Sequence, residues 1–400
     1  MKDKKVFKRK LIIPQVSPVL ASLSGRLSLR DLAGLGYLTE IADLSYIVNR
    51  DRFEYSKNSD QLFNGDEFIR VTRFFSIEEL CDYFESGHCD DIWLIPFHDH
   101  YEVRCLFRLI DKYKVKYAYI NGIYADPEPI GTSNGITLKE KLSLPYIKKF
   151  LYFRLLKKWL RTNRPAFLTI PSRAAEHHYV RLNAAGKNVK KVFVHTVDYD
   201  NFLKAEPYES DKPYCVFVDQ YLPFHPDIIF DLKYHIEPDG YYKTLNEVFD
   251  QVRKRFHLKI IVAAHPRADY RDKMNYLPLC AVEYGKTASL IKGADLVIGH
   301  NSNSLAMAAM ANCPLIVYVS HALLRSRPEM ELMEWYGNEL GARLLKDGDR
   351  LQDSDLSIDE EKYQSFIAQR AAYDLQNTEL LWKTITDEVE RCFSAPGHTG

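Results

Sequence analysis

The chain reads as an α/β protein of two domains, each an open parallel sheet flanked by helices, and three observations lead there. Apolar runs of strand length alternate with segments of helical period along most of the sequence. Several of those runs stop at polar or proline-containing turns, as strands of a parallel sheet do at their carboxyl ends. Size agrees: 400 residues suggest two domains, and an apolar share of 46% fills two ordinary cores.

From the amino end, Leu11-Ile12-Ile13 predicts a strand and Ile92-Trp93-Leu94-Ile95-Pro96-Phe97 another. Residues 101–113 carry Val103, Leu106, Leu109 and Ile110 at helical spacing, and Tyr117-Ala118-Tyr119-Ile120 returns as a strand, which makes a βαβ unit. Further strands are predicted at 166–170 and 191–195. The stretch 198–213 is polar and holds Pro207 and Pro213, so the link between domains is placed within it, at 201–213.

The second sheet opens with Tyr214-Cys215-Val216-Phe217-Val218-Asp219. A helix over 241–256 leads to Ile260-Ile261-Val262-Ala263-Ala264, which runs into His265-Pro266-Arg267. After a helix at 287–292, the strand Asp295-Leu296-Val297-Ile298-Gly299 ends in His300-Asn301-Ser302-Asn303-Ser304. A helix of small residues at 305–311 and the strand Cys313-Pro314-Leu315-Ile316-Val317-Tyr318 complete this unit. Residues 360–393 predict one long amphipathic helix through Phe366, Ala371, Tyr373, Leu380, Leu381 and Ile385, either crossing back to brace the first domain or closing the second. The expected organisation is two Rossmann-like domains at 1–200 and 214–358, a C-terminal crossing helix at 359–393 and a tail at 394–400.

Composition excludes some functions. Lys plus Arg and Asp plus Glu number 54 each, and a zero formal charge argues against nucleic acid as a partner. The cysteines at 81, 89, 105, 215, 280, 313 and 392 form no CxxC pair, which suits reduced thiols in a cytoplasmic protein. Met1-Lys2-Asp3-Lys4-Lys5 is basic, but the apolar run after it is too short for a signal peptide or a membrane span.

The carboxyl ends of the second sheet carry the candidate chemistry. A helix start leaves backbone N–H groups unpaired and carries about half a positive charge, so an anion lodges there with few basic side chains. Ser302, Asn303 and Ser304 can cap that helix and can also donate to a phosphate or a sugar carboxylate. His265 is left at a strand tip by Pro266, where its imidazole can donate to a leaving phosphate. Asp219 ends its strand, and the loop Gln220-Tyr221-Leu222-Pro223-Phe224-His225-Pro226-Asp227 brings a second carboxylate. Either can attack an anomeric carbon, and either can simply cap a turn or a helix. Asp231 lies a turn further on, within the same predicted helix.

Other motifs carry less. Asp198-Tyr199-Asp200 matches the DxD pattern that holds a metal and a diphosphate, but paired turn-forming aspartates look the same. His98-Asp99-His100 is not expected to share one metal among all three, because neighbours on an extended chain point to opposite faces, although a strand-tip position allows one of them to touch the acceptor. His177-His178 has no partner pattern. Residues 148–164, KKFLYFRLLKKWLRTNR, interleave seven basic residues with aromatic and aliphatic ones, as does a helix lying on an anionic membrane or a core helix with a solvated outer face. Lys2, Lys4, Lys5, Lys8, Arg9 and Lys10 add a basic amino end that suits peripheral inner-membrane contact.

The run from Val218 through Asp227, Tyr241-Tyr242 before a helix, Ala264-His265-Pro266-Arg267 and Gly299-His300-Asn301-Ser302-Asn303-Ser304 resemble bacterial surface-polysaccharide glycosyltransferases of the GT-B type. Among these the chain most resembles the β-Kdo transferases of glycosyltransferase family 99, relatives of the capsule Kdo transferases. The resemblance is specific over residues 214–318 and architectural before them. It implies a GT-B-like fold whose two domains face a central cleft, a CMP-β-Kdo donor held by the second domain and a lipid-linked O-antigen or capsule acceptor held by the first. It further implies that Gln220, His265, Pro266, Arg267, His300, Asn301, Ser302, Asn303 and Ser304 serve the nucleotide sugar. Retention is implied through an aspartyl-glycosyl intermediate on Asp219 or Asp227, with no metal or other cofactor. Alternatives are a sialyl- or glycerophosphotransferase with another CMP- or CDP-linked donor, and a non-catalytic polysaccharide-binding scaffold.

Overall fold

The computed structural model describes residues 9–58, 62–120, 143–152, 162–174, 176, 188–225, 235–324, 326–376 and 379–394. The chain divides into two units, one holding the described residues up to Val197 and those from Tyr373 onward, the other running from Asp198 to Ala372.

Among the described residues, the first unit has strands β1 (Arg9–Gln15), β2 (Tyr37–Asp43), β3 (Ile69–Arg73), β4 (Ile92–Ile95), β5 (Lys116–Tyr119), β6 (Phe167–Ile170) and β7 (Lys190–Phe193). All pairings are parallel and the order is β3-β2-β1-β4-β5-β6-β7. Leu11, Ile12, Ile13, Trp93, Leu94 and Ile95 are fully buried, which is why these strands read as continuous apolar runs rather than alternating ones. The β1–β4 pairing stops at Ile12, two residues before Pro14, whose missing N–H could not extend a ladder there.

The second unit repeats the plan with β8 (Tyr214–Val218), β9 (Lys259–Ala264), β10 (Cys280–Tyr284), β11 (Leu296–Gly299), β12 (Leu315–Val319) and β13 (Arg343–Lys346). Its order is β10-β9-β8-β11-β12-β13, again parallel throughout. The chain winds outward from β8 on one side, then returns to β11 on the other. The adjacent strands β8 and β11 therefore mark the switch point, the place where a doubly wound sheet opens a crevice at its carboxyl ends.

The helix Pro238–Phe256 shows how the sequence builds the layers. Pro238 sits at its first position, and Glu237 caps it by accepting from the backbone N–H groups of Asp239 at 2.9 Å and Gly240 at 2.6 Å. Tyr241, Tyr242, Leu245, Val248, Phe249 and Val252 form one buried stripe against the sheet. His257 in the left-handed region ends it, after Arg253, Lys254 and Arg255 have placed positive charge on the last turn.

Two spans differ from expectation. Val197–Lys204 is a helix, so irregular chain occupies only the later part of the expected link. The closing segment is two helices, Glu360–Phe366 in the second unit and Leu381–Phe393 in the first. Between them a π-turn over Ile367–Ala371 ends at Ala372 in extended conformation. Asp374 then accepts the N–H of Gln376 at 2.9 Å, a local bond that competes with helix continuation.

Leu381–Phe393 does brace the first unit. Leu381, Trp382, Ile385 and Val389 form its buried face; Trp382 donates its indole N–H to the Leu27 carbonyl at 2.7 Å and the Tyr37 hydroxyl donates to Glu390 at 2.6 Å. Trp382→Phe keeps most of the apolar area but orphans that carbonyl, so a loss of about 1–2 kcal/mol is expected in denaturant unfolding. An unchanged midpoint would mean that the indole bond contributes nothing.

Candidate functional site

Three neighbouring strand ends of the second sheet carry the predicted residues. Val218 is in register with Ala263 on β9 and with Gly299 on β11. Gln220, His265 and Asn301 therefore leave the same edge of the sheet from three adjacent strands.

Asp219 is the brace of this edge. Its carboxylate accepts from the Tyr221 N–H at 2.7 Å, the Tyr270 hydroxyl at 2.9 Å and the His265 N–H at 3.4 Å, and only 4% of the residue is exposed. Tyr242 meets Tyr270 hydroxyl to hydroxyl at 3.1 Å, which extends the network into the helix layer. Burial pushes the Asp219 carboxyl up to about 6, against the pull of these hydrogen bonds. The bond to Tyr221 shapes the turn that places Tyr221 at a φ of 55°. Both carboxylate oxygens are thus engaged by protein donors. Asp227 and Asp231, like Pro226, His177, His178 and most of the basic amino end, lie outside the described residues.

His265 stands at the tip of β9 as expected. Its Nδ1 accepts from the Arg267 N–H at 3.2 Å, so the ring carries its proton on Nε2, the nitrogen that can donate to a ligand. The ring meets His225 edge to face at 4.6 Å, tying the loop after β8 to the β9 tip. Pro266 is exposed and Arg267 half-buried.

His300 behaves otherwise. It is fully buried: Nδ1–H donates to the Tyr318 carbonyl at 2.6 Å and Nε2 accepts from the Tyr241 hydroxyl at 2.9 Å. Burial pulls the imidazole down to about 4. Both nitrogens are used within the core, so His300 supports the turn and offers a ligand no ring nitrogen.

The turn itself is held from several sides. A Cβ on Gly299 would meet Leu305 at 2.7 Å and Val218 at 3.3 Å, so glycine is what lets the turn fold back over its strand. Ser302 caps the 3-10 turn Asn303–Leu305 by accepting from the Ser304 N–H, and Ala306–Met310 continues it as helix. Asn303 accepts from the Tyr336 hydroxyl at 3.1 Å, and Asn301 donates to Glu329, whose carboxyl is raised by burial. The carbonyl oxygens of Gln220 and Asn301 are buried and have no hydrogen-bond partner among the described residues. Two acceptors on adjacent strand ends await donors, the complement of a hydroxyl or an amine on a ligand.

The remaining motifs lie on other elements. Asp198 and Asp200 are buried in the first turn of the helix Val197–Lys204. In the first unit, His98, Asp99 and His100 follow β4, at that sheet's own switch point. Asp99 is buried and accepts from the Tyr152 hydroxyl at 2.7 Å, while His100 meets Glu102 at 2.9 Å. Among the described residues, no group of three or more His, Cys, Asp or Glu side chains could hold a metal ion. All seven cysteines are free. No described helix is long and apolar enough to cross a membrane.

Sequence reasoning missed Tyr270, Glu329, His321 and Asp347. Their only sequence signal is a place near a strand end or in a helix layer, which many residues share.

No protein-family model matches the chain, and no curated protein does. Solved structures do. The wall teichoic acid polymerase TagF is similar at a TM-score of 0.54 and 12% identity, over 97% of this chain and 89% of that one. CalG4, the calicheamicin glycosyltransferase, is similar at a TM-score of 0.52 and 13% identity, over 96% and 98%. At such identities the likeness concerns the fold: the chain has the GT-B-like architecture of two parallel-sheet, Rossmann-like domains.

Proposed function

We propose that the chain is a glycosyltransferase that takes its sugar from a nucleotide-linked donor bound at the switch point of the second sheet. The observation that carries this reading is the convergence of a proton-donating His265, the orphaned acceptors of Gln220 and Asn301, and the Ser302–Ser304 turn on three adjacent strand ends. Donors to an anion and acceptors for hydroxyls, side by side, complement a phosphorylated sugar. The fold shared with CalG4 and TagF supports the same reading.

Within that class, the family resemblance selects CMP-β-Kdo as donor and a lipid-linked O-antigen or capsule glycan as acceptor, with retention. An aspartate oxygen attacks C2, the C2–O bond to phosphate breaks, and CMP departs with the electron pair. The acceptor hydroxyl then attacks C2, the aspartyl ester bond breaks, and the hydroxyl proton passes to the released phosphate. Because the oxygens of Asp219 already serve three protein donors, we assign the nucleophile to Asp227. No metal enters this scheme; hydrogen-bond donors hold the phosphate. A cytoplasmic enzyme touching the inner membrane is supported by the helix Leu144–Leu151, which exposes Leu144, Ile147, Phe150 and Leu151 beside Lys148 and Lys149.

A second reading, transfer from a CDP-linked donor, draws on the likeness to a TagF variant soaked with CDPG, at a TM-score of 0.56 and 11% identity. Calorimetry with CMP, followed by nucleotide release from CMP-Kdo, CMP-sialic acid and CDP-glycerol, separates the possibilities. Binding of CMP and release from CMP-Kdo alone is the expected result. Failure to bind any cytidine nucleotide would leave the chain a scaffold.

A further inference from the structure

The carboxyl edge of the second sheet holds one more arrangement that the scheme above leaves unused. The register of Val319 with Lys346 brings the ends of β12 and β13 level, and the residues just beyond them are Ser320, His321 and Asp347. Asp347 has a side chain only 5% exposed, whereas that of His321 is 71% exposed. One carboxylate oxygen accepts from both the backbone N–H of His321 at 2.7 Å and its ring Nδ1 at 2.8 Å. The other accepts from the Tyr318 hydroxyl, which is itself within 3.1 Å of Thr244.

An exposed surface histidine ordinarily swings through several rotamers. Here two bonds to one buried carboxylate hold it in place. They also settle the tautomer: Nδ1 carries a proton, and Nε2 lies on the far side of the ring. A carboxylate behind one imidazole nitrogen offsets the charge when the other takes up a proton, which is how such pairs serve anions and proton transfer elsewhere. The position matters equally. Gly299 is in register with Val317, so β11 and β12 end on the same edge of the sheet, and His321 leaves the strand next to the one that carries the hydroxyl-bearing turn.

We propose that His321 is a donor-binding residue: with Nδ1–H held by Asp347, the ring takes a proton on Nε2 and that Nε2–H donates to an anionic oxygen of the nucleotide-linked donor, Asp347 being the positioning residue that holds the ring. The inference rests on the donor site proposed above and adds a contact from a different strand. The anionic oxygen belongs to the phosphate or to the sugar carboxylate; both present the same chemistry to an imidazole.

The test follows the ring signals of His321 by nuclear magnetic resonance in the full chain, assigned by their loss in His321→Ala, during titration with CMP, inorganic phosphate and acetate. Shifts with CMP and phosphate support the phosphate as the partner. Shifts with acetate but not phosphate support the carboxylate. Unmoved ring signals while calorimetry shows CMP binding overturn the proposal and leave the nucleotide site standing. Shifts with phosphate or acetate in a chain that does not bind CMP keep the anion contact and remove the nucleotide reading.

Affinity supplies the second arm. His321→Ala is expected to weaken CMP binding about tenfold or more, the usual worth of a hydrogen bond to a charged group. His321→Gln, which reaches the Nε2 position, should recover part of that loss, and His321→Asn, which reaches only the Nδ1 position, should not. Recovery by Asn instead of Gln would show that the residue serves only to pin the turn to Asp347, and the proposal would be wrong.

Discussion

Asp227→Asn is expected to lower sugar transfer by about a thousandfold or more while CMP affinity stays within about twofold. The amide cannot displace CMP from C2, and removing a covalent nucleophile costs that order in well-studied enzymes. Asp219→Asn should behave differently because of what Asp219 touches. Its carboxylate receives the Tyr221 N–H, the His265 N–H and the Tyr270 hydroxyl, and an amide can accept at only one of its two positions. The substitution therefore disturbs the strand tip that carries His265, lowering stability and CMP affinity together. Transfer assays paired with calorimetry distinguish the two. Full transfer activity in both variants would eliminate the covalent route, and a selective loss in Asp219→Asn alone would move the nucleophile to Asp219.

His300→Ala is expected to cost about 3–5 kcal/mol of unfolding free energy near neutral pH. The change empties a fully buried site and strands the Tyr241 hydroxyl and the Tyr318 carbonyl. The cost should also depend on pH with a definite sign. The folded imidazole is held down at about 4, whereas an unfolded histidine titrates near 6.5. The stability that neutral His300 contributes is therefore complete above about pH 6.5 and is lost as the pH falls toward 4, by roughly 3 kcal/mol in all. The penalty of the variant should shrink over the same window.

Asp219 works in the opposite sense nearby. Its folded carboxyl lies at about 6, above the unfolded value, so its contribution is greatest below about pH 4 and fades as the pH rises to 6. In the wild type the two trends partly cancel, which is why the difference between wild type and variant is the informative quantity. A penalty for His300→Ala that stays constant from pH 4 to 7 would show that the ring is not the neutral group described.

The parts of this fold that were legible in the sequence are those where burial on both faces leaves a continuous apolar run. β8, β9, β11 and β12 read directly for that reason, with punctuation from Pro266 and Gly299. β3 and β10 are largely half-buried or exposed, β3 is rich in polar residues as well, and β13 is only four residues long, so their runs lack contrast with loops. At the site, His265 and the Ser302 turn were visible because a proline and a glycine mark where their strands stop. The role of His300 was not visible: nothing in His300-Asn301-Ser302 says that the first side chain turns inward while the next two remain at the edge. That outcome depends on Tyr241 and Tyr318, each on a different element. Asp219 was equally ambiguous, since a strand-end aspartate can attack or brace, and only Tyr270, more than fifty positions away by sequence, shows which bonds it has already made.

The return of Leu381–Phe393 to the first unit imposes a timetable on synthesis. Every strand of the first sheet has left the ribosome long before the helix bearing Trp382 is made, so Leu27 and Tyr37 wait through translation of the whole second unit for the side chains that cover them. The second unit, one continuous stretch among the described residues, has all its elements in hand before that helix is made. The unit that is born first is thus completed last, and the surface around Leu27 and Tyr37 stays uncovered until the final helix arrives.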